Sequence, residues 1–204
     1  MIRRFFTVLL LLINSYLYSQ KIEDCNYLVD IFSDKMSKLD SLKVLSPNPR
    51  YYTKKQLFSV VVPEYVLYDN FTQYIEKIYM QYAKLMNHEA YMNTSIGPFQ
   101  MTPQFIIHCI KNCSNILIDD ELIIDIRKGN YDLFYENLNY FSTIENQWKI
   151  LIYFEDIYWK ESKGDINFLR RIYHSGESKS FVFTKINCFN ADYEYWSDYF
   201  LGFY

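Results

Sequence analysis

Residues that make tight turns are scarce in this chain: five glycines and five prolines serve 204 residues. A sandwich or barrel of many short strands needs a turn roughly every ten residues, so those architectures are excluded. Few interruptions and long periodic segments point instead to helices, and the expectation is a mainly α fold. Half of the residues are hydrophobic, which is enough to build a core and excludes a disordered chain.

The first stretch reads as a leader rather than as part of that core. Arg3 and Arg4 precede an apolar run from Phe5 to Ile13, followed by a more polar Asn14-Ser15-Tyr16-Leu17-Tyr18-Ser19. This is a basic n-region, an h-region and a small residue at a cleavage point between Ser19 and Gln20. The run is short for a membrane span. A signal peptide over 1–19 is therefore expected, with export to the periplasm or beyond and no stable membrane span after cleavage. About 185 residues remain, enough for one well-cored domain. The formal net charge of −3 becomes more acidic when Arg3 and Arg4 leave with the leader. An acidic chain without a basic block is a poor nucleic-acid binder.

Along the mature chain, Cys25, Leu28, Ile31, Phe32, Met36, Leu39 and Leu42 fall on one face of a helix. Ser46-Pro47-Asn48-Pro49 breaks it. The apolar run Leu57 to Val62 reads as a short strand or extended piece. Pro63 suits a first helical turn, and a helix behind it would place Val66, Phe71, Tyr74, Ile75, Ile78, Tyr82 and Leu85 on its apolar face. A further helix is expected from Thr102-Pro103, and shorter ones over Ile116–Lys128 and Tyr131–Tyr140. Ser142-Thr143-Ile144-Glu145 has the form of a capping box and opens a long helix through Trp148 and Trp159. Asp165 can cap a helix that stops at Gly176, and an aromatic helix around Tyr193 to Phe200 closes the chain. The organisation read from this pass is a leader over 1–19, an N-terminal helix and connection over 20–55, and one helical domain over 56–204.

Tyrosine (21) and phenylalanine (16) are abundant. Aromatic faces pack against sugar rings, but abundant Ile, Asn, Lys and Tyr also follow from an AT-rich coding sequence, and the composition alone decides nothing. The four cysteines, Cys25, Cys109, Cys113 and Cys188, all lie in the exported part. Up to two disulfides in three connectivities, or buried free thiols, are open to them. His108, Cys109 and Cys113 can be drawn as a metal site, yet no second ligand pair follows at zinc-like spacing, so neither a metal nor an organic cofactor is expected.

There is no G-x-S-x-G elbow, Gly-rich phosphate loop, H-E-x-x-H pair or dinucleotide fingerprint. His88, His108 and His174 are far apart in sequence. Carboxylates are left to carry any chemistry. The most informative segment is Ser95-Ile96-Gly97-Pro98-Phe99-Gln100-Met101-Thr102-Pro103. Gly97 suits a close backbone approach, and the Gln100 amide offers both a donor and an acceptor to a ligand.

That segment resembles the G-x-x-Q-x-x-P core of the lysozyme-like superfamily, specifically lytic transglycosylases of the soluble type and goose-type lysozymes. Ser95, Gly97, Gln100 and Pro103 keep the family's register. Ile172-Tyr173-His174-Ser175-Gly176 is similar to the family's later A-Y-N-A-G block, with His174 where the family has asparagine, and Trp196 to Tyr204 is similar to its closing helix. The resemblance runs from about Pro63 to Tyr204. It implies a single lysozyme-like helical domain and a peptidoglycan-cleaving glycosidase acting between N-acetylmuramic acid and N-acetylglucosamine. It also implies one catalytic glutamate upstream of the glycine–glutamine turn, with Ser95, Gly97, Gln100, Tyr173 and His174 lining the saccharide cleft. Glu64 is the candidate acid, with Glu89 in reserve and Glu76 as a further competitor. The absence of a motif-fixed second carboxylate favours the one-carboxylate transglycosylase route over hydrolysis. A non-catalytic glycan-binding or structural envelope protein of the same fold is the alternative, and a helical interaction module with an accidental G-x-x-Q is a third reading.

Overall fold

The computed structural model describes residues 45–69, 72–76, 78, 95–114 and 121–175. The expected leader, the N-terminal helix, Cys25, Cys188, Gly176 and the aromatic C-terminal segment lie outside the described residues. Within them the helices are α1 (Lys54–Ser59), α2 (Val62–Leu67), α3 (Pro103–Asn112), α4 (Glu121–Arg127), α5 (Tyr131–Glu136), α6 (Leu138–Phe141), α7 (Ile144–Ser162) and α8 (Ile166–Ser175). A helical segment at 72–76 lies between α2 and α3. The only β pairing among the described residues is an isolated antiparallel bridge between Ile96 and Met101. The protein is mainly α.

Helix α7 is the element around which the others are arranged. It packs against α1, α3, α6 and α8, while α3 continues onto α4, α4 onto α5, and α8 onto α1. Consecutive residues Ile150, Leu151, Ile152, Tyr153 and Phe154 are all buried, so this part of the helix is covered all round rather than along one stripe. The helix starts at Thr143, whose hydroxyl accepts the Asn146 N–H at 3.3 Å. The expected box at Ser142 and Glu145 is not formed, and the cap falls one residue later, on Thr143 alone. Ser142 has helical φ and ψ as the end of α6, whereas an N-cap needs the extended backbone that Thr143 has. At the other end Lys163 and Gly164 are left-handed. Asp165 then caps α8 by accepting the Asn167 N–H at 2.9 Å.

The segment ahead of α1 is strapped to α7. Glu155 is fully buried, and its carboxylate accepts the backbone N–H groups of Arg50 (3.0 Å), Tyr51 (2.8 Å) and Tyr52 (2.8 Å). The Trp148 indole donates to the Pro47 carbonyl at 2.9 Å, and the Tyr51 ring stacks on Trp159 with centroids 4.4 Å apart. On the far side, the buried Arg170 guanidinium of α8 donates to Ser59 Oγ in α1 at 3.1 Å.

Two sequence expectations fail here for identifiable reasons. The run Leu57 to Val62 is not a strand: it ends α1, turns through Val60 and Val61, and begins α2. Thr53 and Gln56 form a reciprocal capping box that starts the helix. Leu57, Phe58, Val60, Val61 and Val62 are all fully buried, and a continuous apolar run of that kind fits a buried helix as well as a strand. The helix behind Pro63 does not run on as one piece either. Tyr68 is extended, and Asp69 accepts the Thr72 N–H at 2.7 Å, starting a new helical segment. Tyr74 and Ile78, expected on an apolar inner face, are 60% and 38% exposed. Phe71, Tyr82 and Leu85 lie outside the described residues.

Candidate active site

Residues 96–101 form a tight reversal that three side chains from the surrounding segments hold with five hydrogen bonds. Ile96 and Met101 exchange backbone hydrogen bonds at 2.9 and 3.1 Å, and the Gln100 N–H closes the turn on the Gly97 carbonyl at 2.9 Å. Both Gly97 (φ +69°) and Gln100 (φ +51°) are left-handed. Glycine adopts that conformation freely, whereas glutamine at positive φ is uncommon and persists only where its surroundings hold it. From α7, the buried Gln147 amide accepts the Phe99 N–H at 2.7 Å and donates to the Ile96 carbonyl at 2.5 Å. From α8, the Tyr173 hydroxyl donates to the Phe99 carbonyl at 2.5 Å. From residue 76, the Glu76 carboxylate accepts the Gly97 N–H at 3.1 Å and the Gln100 side-chain amide at 2.7 Å. A Cβ on residue 97 would strike the Gln147 amide and come within 2.8 Å of the Ser142 carbonyl oxygen. Gly97 is thus required by its left-handed backbone and by the close approach of Gln147 and Ser142.

Beside this turn lies a cavity of about 590 Å³, a size suited to a small-molecule or oligomer subsite. Its walls include Glu64, Ser95, Gln100, Tyr173 and His174, together with His108, Phe105, Phe154 and Tyr158. The structure therefore brings five of the residues singled out in the sequence to one place, from α2, the 95–101 segment and α8. Gly97 is behind that wall. Glu89 lies outside the described residues, and Glu76 is buried behind Gln100 and absent from the cavity lining.

The electrostatics of the three acids differ. Glu64 is the only carboxylate among the described residues lining the cavity, and burial pushes its pKa up to about 7. No hydrogen bond or ion pair to its side chain is formed among the described residues, and the helix N-terminus, which favours a charged carboxylate, does not outweigh desolvation. Glu76 is also raised by burial, opposed by hydrogen bonds from Gln100, Gly97 and Tyr68. Burial, with the Glu76 charge added to it, keeps the Tyr68 hydroxyl protonated far above neutrality, so that it donates to Glu76 at 2.9 Å. Asp69 is occupied with capping residue 72. His174 is exposed at the rim, and the protein flanking it still removes enough water to hold its pKa below the ordinary histidine value.

Part of the lining is aromatic. Phe105 meets Phe154 and Tyr173 at centroid distances of 5.4 and 5.2 Å, and the Tyr158 hydroxyl lies 3.3 Å from His108 Nε2. The His108 ring is turned to Tyr158 and Asn112, whereas Cys109 and Cys113 are buried free thiols. Burial raises both thiols, and among the described residues no three His, Cys, Asp or Glu side chains gather as a metal site would require.

Sequence reasoning missed Gln147, which holds the turn from α7. Its signal is a polar residue beside Trp148 on a helix face that is otherwise apolar, but its partners are 48 and 51 residues away. Among the described residues no helix is long and apolar enough to cross a membrane. No known family, curated protein or solved structure matches this chain.

Proposed function

We propose that the protein is an exported glycosidase that cleaves the peptidoglycan bond between N-acetylmuramic acid and N-acetylglucosamine, with Glu64 as its single general acid and base. The observation that carries this reading is the isolated Glu64 carboxyl, with a pKa pushed to about 7, in one cavity with Gln100, Ser95, Tyr173 and His174. A carboxyl poised near neutrality is half protonated at working pH, which general acid–base catalysis requires.

In this mechanism protonated Glu64 donates its proton to the glycosidic oxygen as the bond to the anomeric carbon breaks. The ionised carboxylate then faces an oxocarbenium-like sugar. It removes the proton from the C6 hydroxyl of that sugar as the hydroxyl attacks the anomeric carbon, leaving a 1,6-anhydro end and returning Glu64 to its acid form. Hydrolysis would need an oriented water and, in most glycosidases, a second carboxylate; Glu64 alone among the described lining residues favours the intramolecular route. The aromatic side chains, the Tyr173 ring among them, give the sugar rings an apolar face, and Gln100 supplies a polar contact beside it.

Digestion of purified sacculi by wild type and Glu64→Gln, read by mass spectrometry of the released muropeptides, tests this directly. Anhydro ends from wild type alone are expected. Reducing ends would make the protein a hydrolase. Glycan binding without cleavage by wild type would replace catalysis with a binding role, and equal cleavage by both proteins would remove Glu64 from the mechanism.

A further inference from the structure

The Gln100 side chain is not free to choose which end of its amide it shows a ligand. Its Nε2 lies 2.7 Å from Glu76 Oε1 and 2.8 Å from the Gly97 carbonyl oxygen. An ionised carboxylate and a carbonyl can only accept, so both positions demand N–H, and the amide nitrogen has two protons to meet them. The Gln100 Oε1 makes no hydrogen bond among the described residues, and Gln100 lines the cavity. Glu76 itself is 7% exposed, and its other oxygen is taken by the Gly97 N–H and the Tyr68 hydroxyl. One carboxylate therefore holds the left-handed turn at Gly97 and sets the polarity of the amide three residues later.

We propose that Glu76 is a positioning residue that makes Gln100 an acceptor-only contact, so that the cavity selects a ligand carrying an N–H or O–H donor at that point. This rests on the proposed glycosidase reading only for the identity of the donor, an acetamido N–H or a ring hydroxyl. In Glu76→Gln the Gly97 N–H keeps the carbonyl oxygen of the new amide, and its NH₂ group is turned to Gln100 Nε2, donor against donor. Gln100 can relieve that clash only by flipping, which brings its own oxygen against the Gly97 carbonyl. Neither arrangement satisfies every group, and the acceptor presented to the cavity is lost or reversed.

The test begins with the wild-type mature protein and no ligand. In ¹⁵N-labelled protein, both side-chain N–H protons of Gln100 are expected to exchange with water markedly more slowly than those of exposed Gln73; equal rates would overturn the proposal without any variant. In Glu76→Gln that protection is expected to vanish while backbone amides of α7 stay protected; retained protection would also overturn it. The ligand arm uses chitotetraose and cellotetraose by calorimetry in a Glu64→Gln background, which prevents turnover. Adding Glu76→Gln is expected to weaken binding roughly tenfold or more, as for a lost hydrogen bond in a dry site. A loss confined to chitotetraose assigns the donor to the acetamido group, and a loss for both sugars assigns it to a hydroxyl. Unchanged binding of every sugar that wild type binds overturns the role of Glu76. If neither sugar binds wild type, the glycan reading fails while the exchange experiment still decides the clamp.

Discussion

Two glutamates, Glu155 under the 45–52 strap and Glu64 at the cavity wall, show what burial does to a carboxylate with and without donors. Both are raised by desolvation. Glu155 receives three backbone N–H groups, each of which opposes the rise, and it serves as an anchor that ties chain separated by more than a hundred residues. Glu64 receives no donor among the described residues and opens on a cavity instead. Burial alone therefore does not mark a reactive acid. What separates the two is whether the protein has supplied hydrogen bonds that hold the charged form.

The sharpest break in that comparison is the effect of removing the carboxylate at each position. Glu64→Gln is expected to cut peptidoglycan cleavage by roughly 10²- to 10⁴-fold, the range for a lost general acid, with thermal stability unchanged or slightly raised. At Glu155 the effect falls on the fold. Glu155→Ala leaves three backbone N–H groups without their acceptor and is expected to cost about 3–5 kcal/mol, read as a lowered urea midpoint. A Glu155→Ala protein as stable as wild type would dissolve the distinction between anchor and acid.

These two residues also show how much of the molecule was legible in advance. Pro63 fixes a first helical turn, so the place of Glu64 on its helix could be read locally, and the G-x-x-Q spacing with Tyr173 pointed to residues that do meet around one cavity. Glu155 and Gln147 could not be read that way. Each is a buried polar residue of a long helix, next in sequence to another polar residue (Asn146, Asp156) that is not fully buried, and the groups that satisfy it are supplied by chain 48 to 105 residues away. The misread strand at Leu57–Val62 has the same origin: burial on every side removes the periodicity that separates helix from strand.

A smaller effect sharpens the contrast through pH. The folded value of Glu64, about 7, lies above its ordinary 4.5, so the folded state binds that proton more tightly than the unfolded chain does. The stability this contributes is complete below about pH 4.5 and is lost as pH rises through about 7. Relative to Glu64→Gln, wild type is expected to lose on the order of 1–3 kcal/mol across that window, measured as the difference in urea midpoints. Cleavage should fall through the same region as the acid form disappears. A pH-independent difference between the two proteins would place Glu64 in water rather than in the wall.

The smallest expected change is at Tyr173. Tyr173→Phe keeps the ring against Phe105 and Phe154 and removes one hydrogen bond to the Phe99 carbonyl. About 1 kcal/mol of stability should go with it, by thermal unfolding, together with a modest loss in cleavage. A loss of activity as large as that of Glu64→Gln would show Tyr173 acting on the sugar directly.

The clamps on the 96–101 turn also set an order of assembly. Its holding bonds reach back 21 residues to Glu76 and forward 48 to Gln147 and 74 to Tyr173, so each requires a loop to close before it contributes anything. Gln100 cannot settle into its left-handed conformation until those distant partners have arrived. During refolding the helices can form from local signals such as the Thr53, Thr102 and Thr143 caps, but the cavity wall is among the last parts to become native. A refolding chain would thus acquire its helices before it acquires the wall of its cavity.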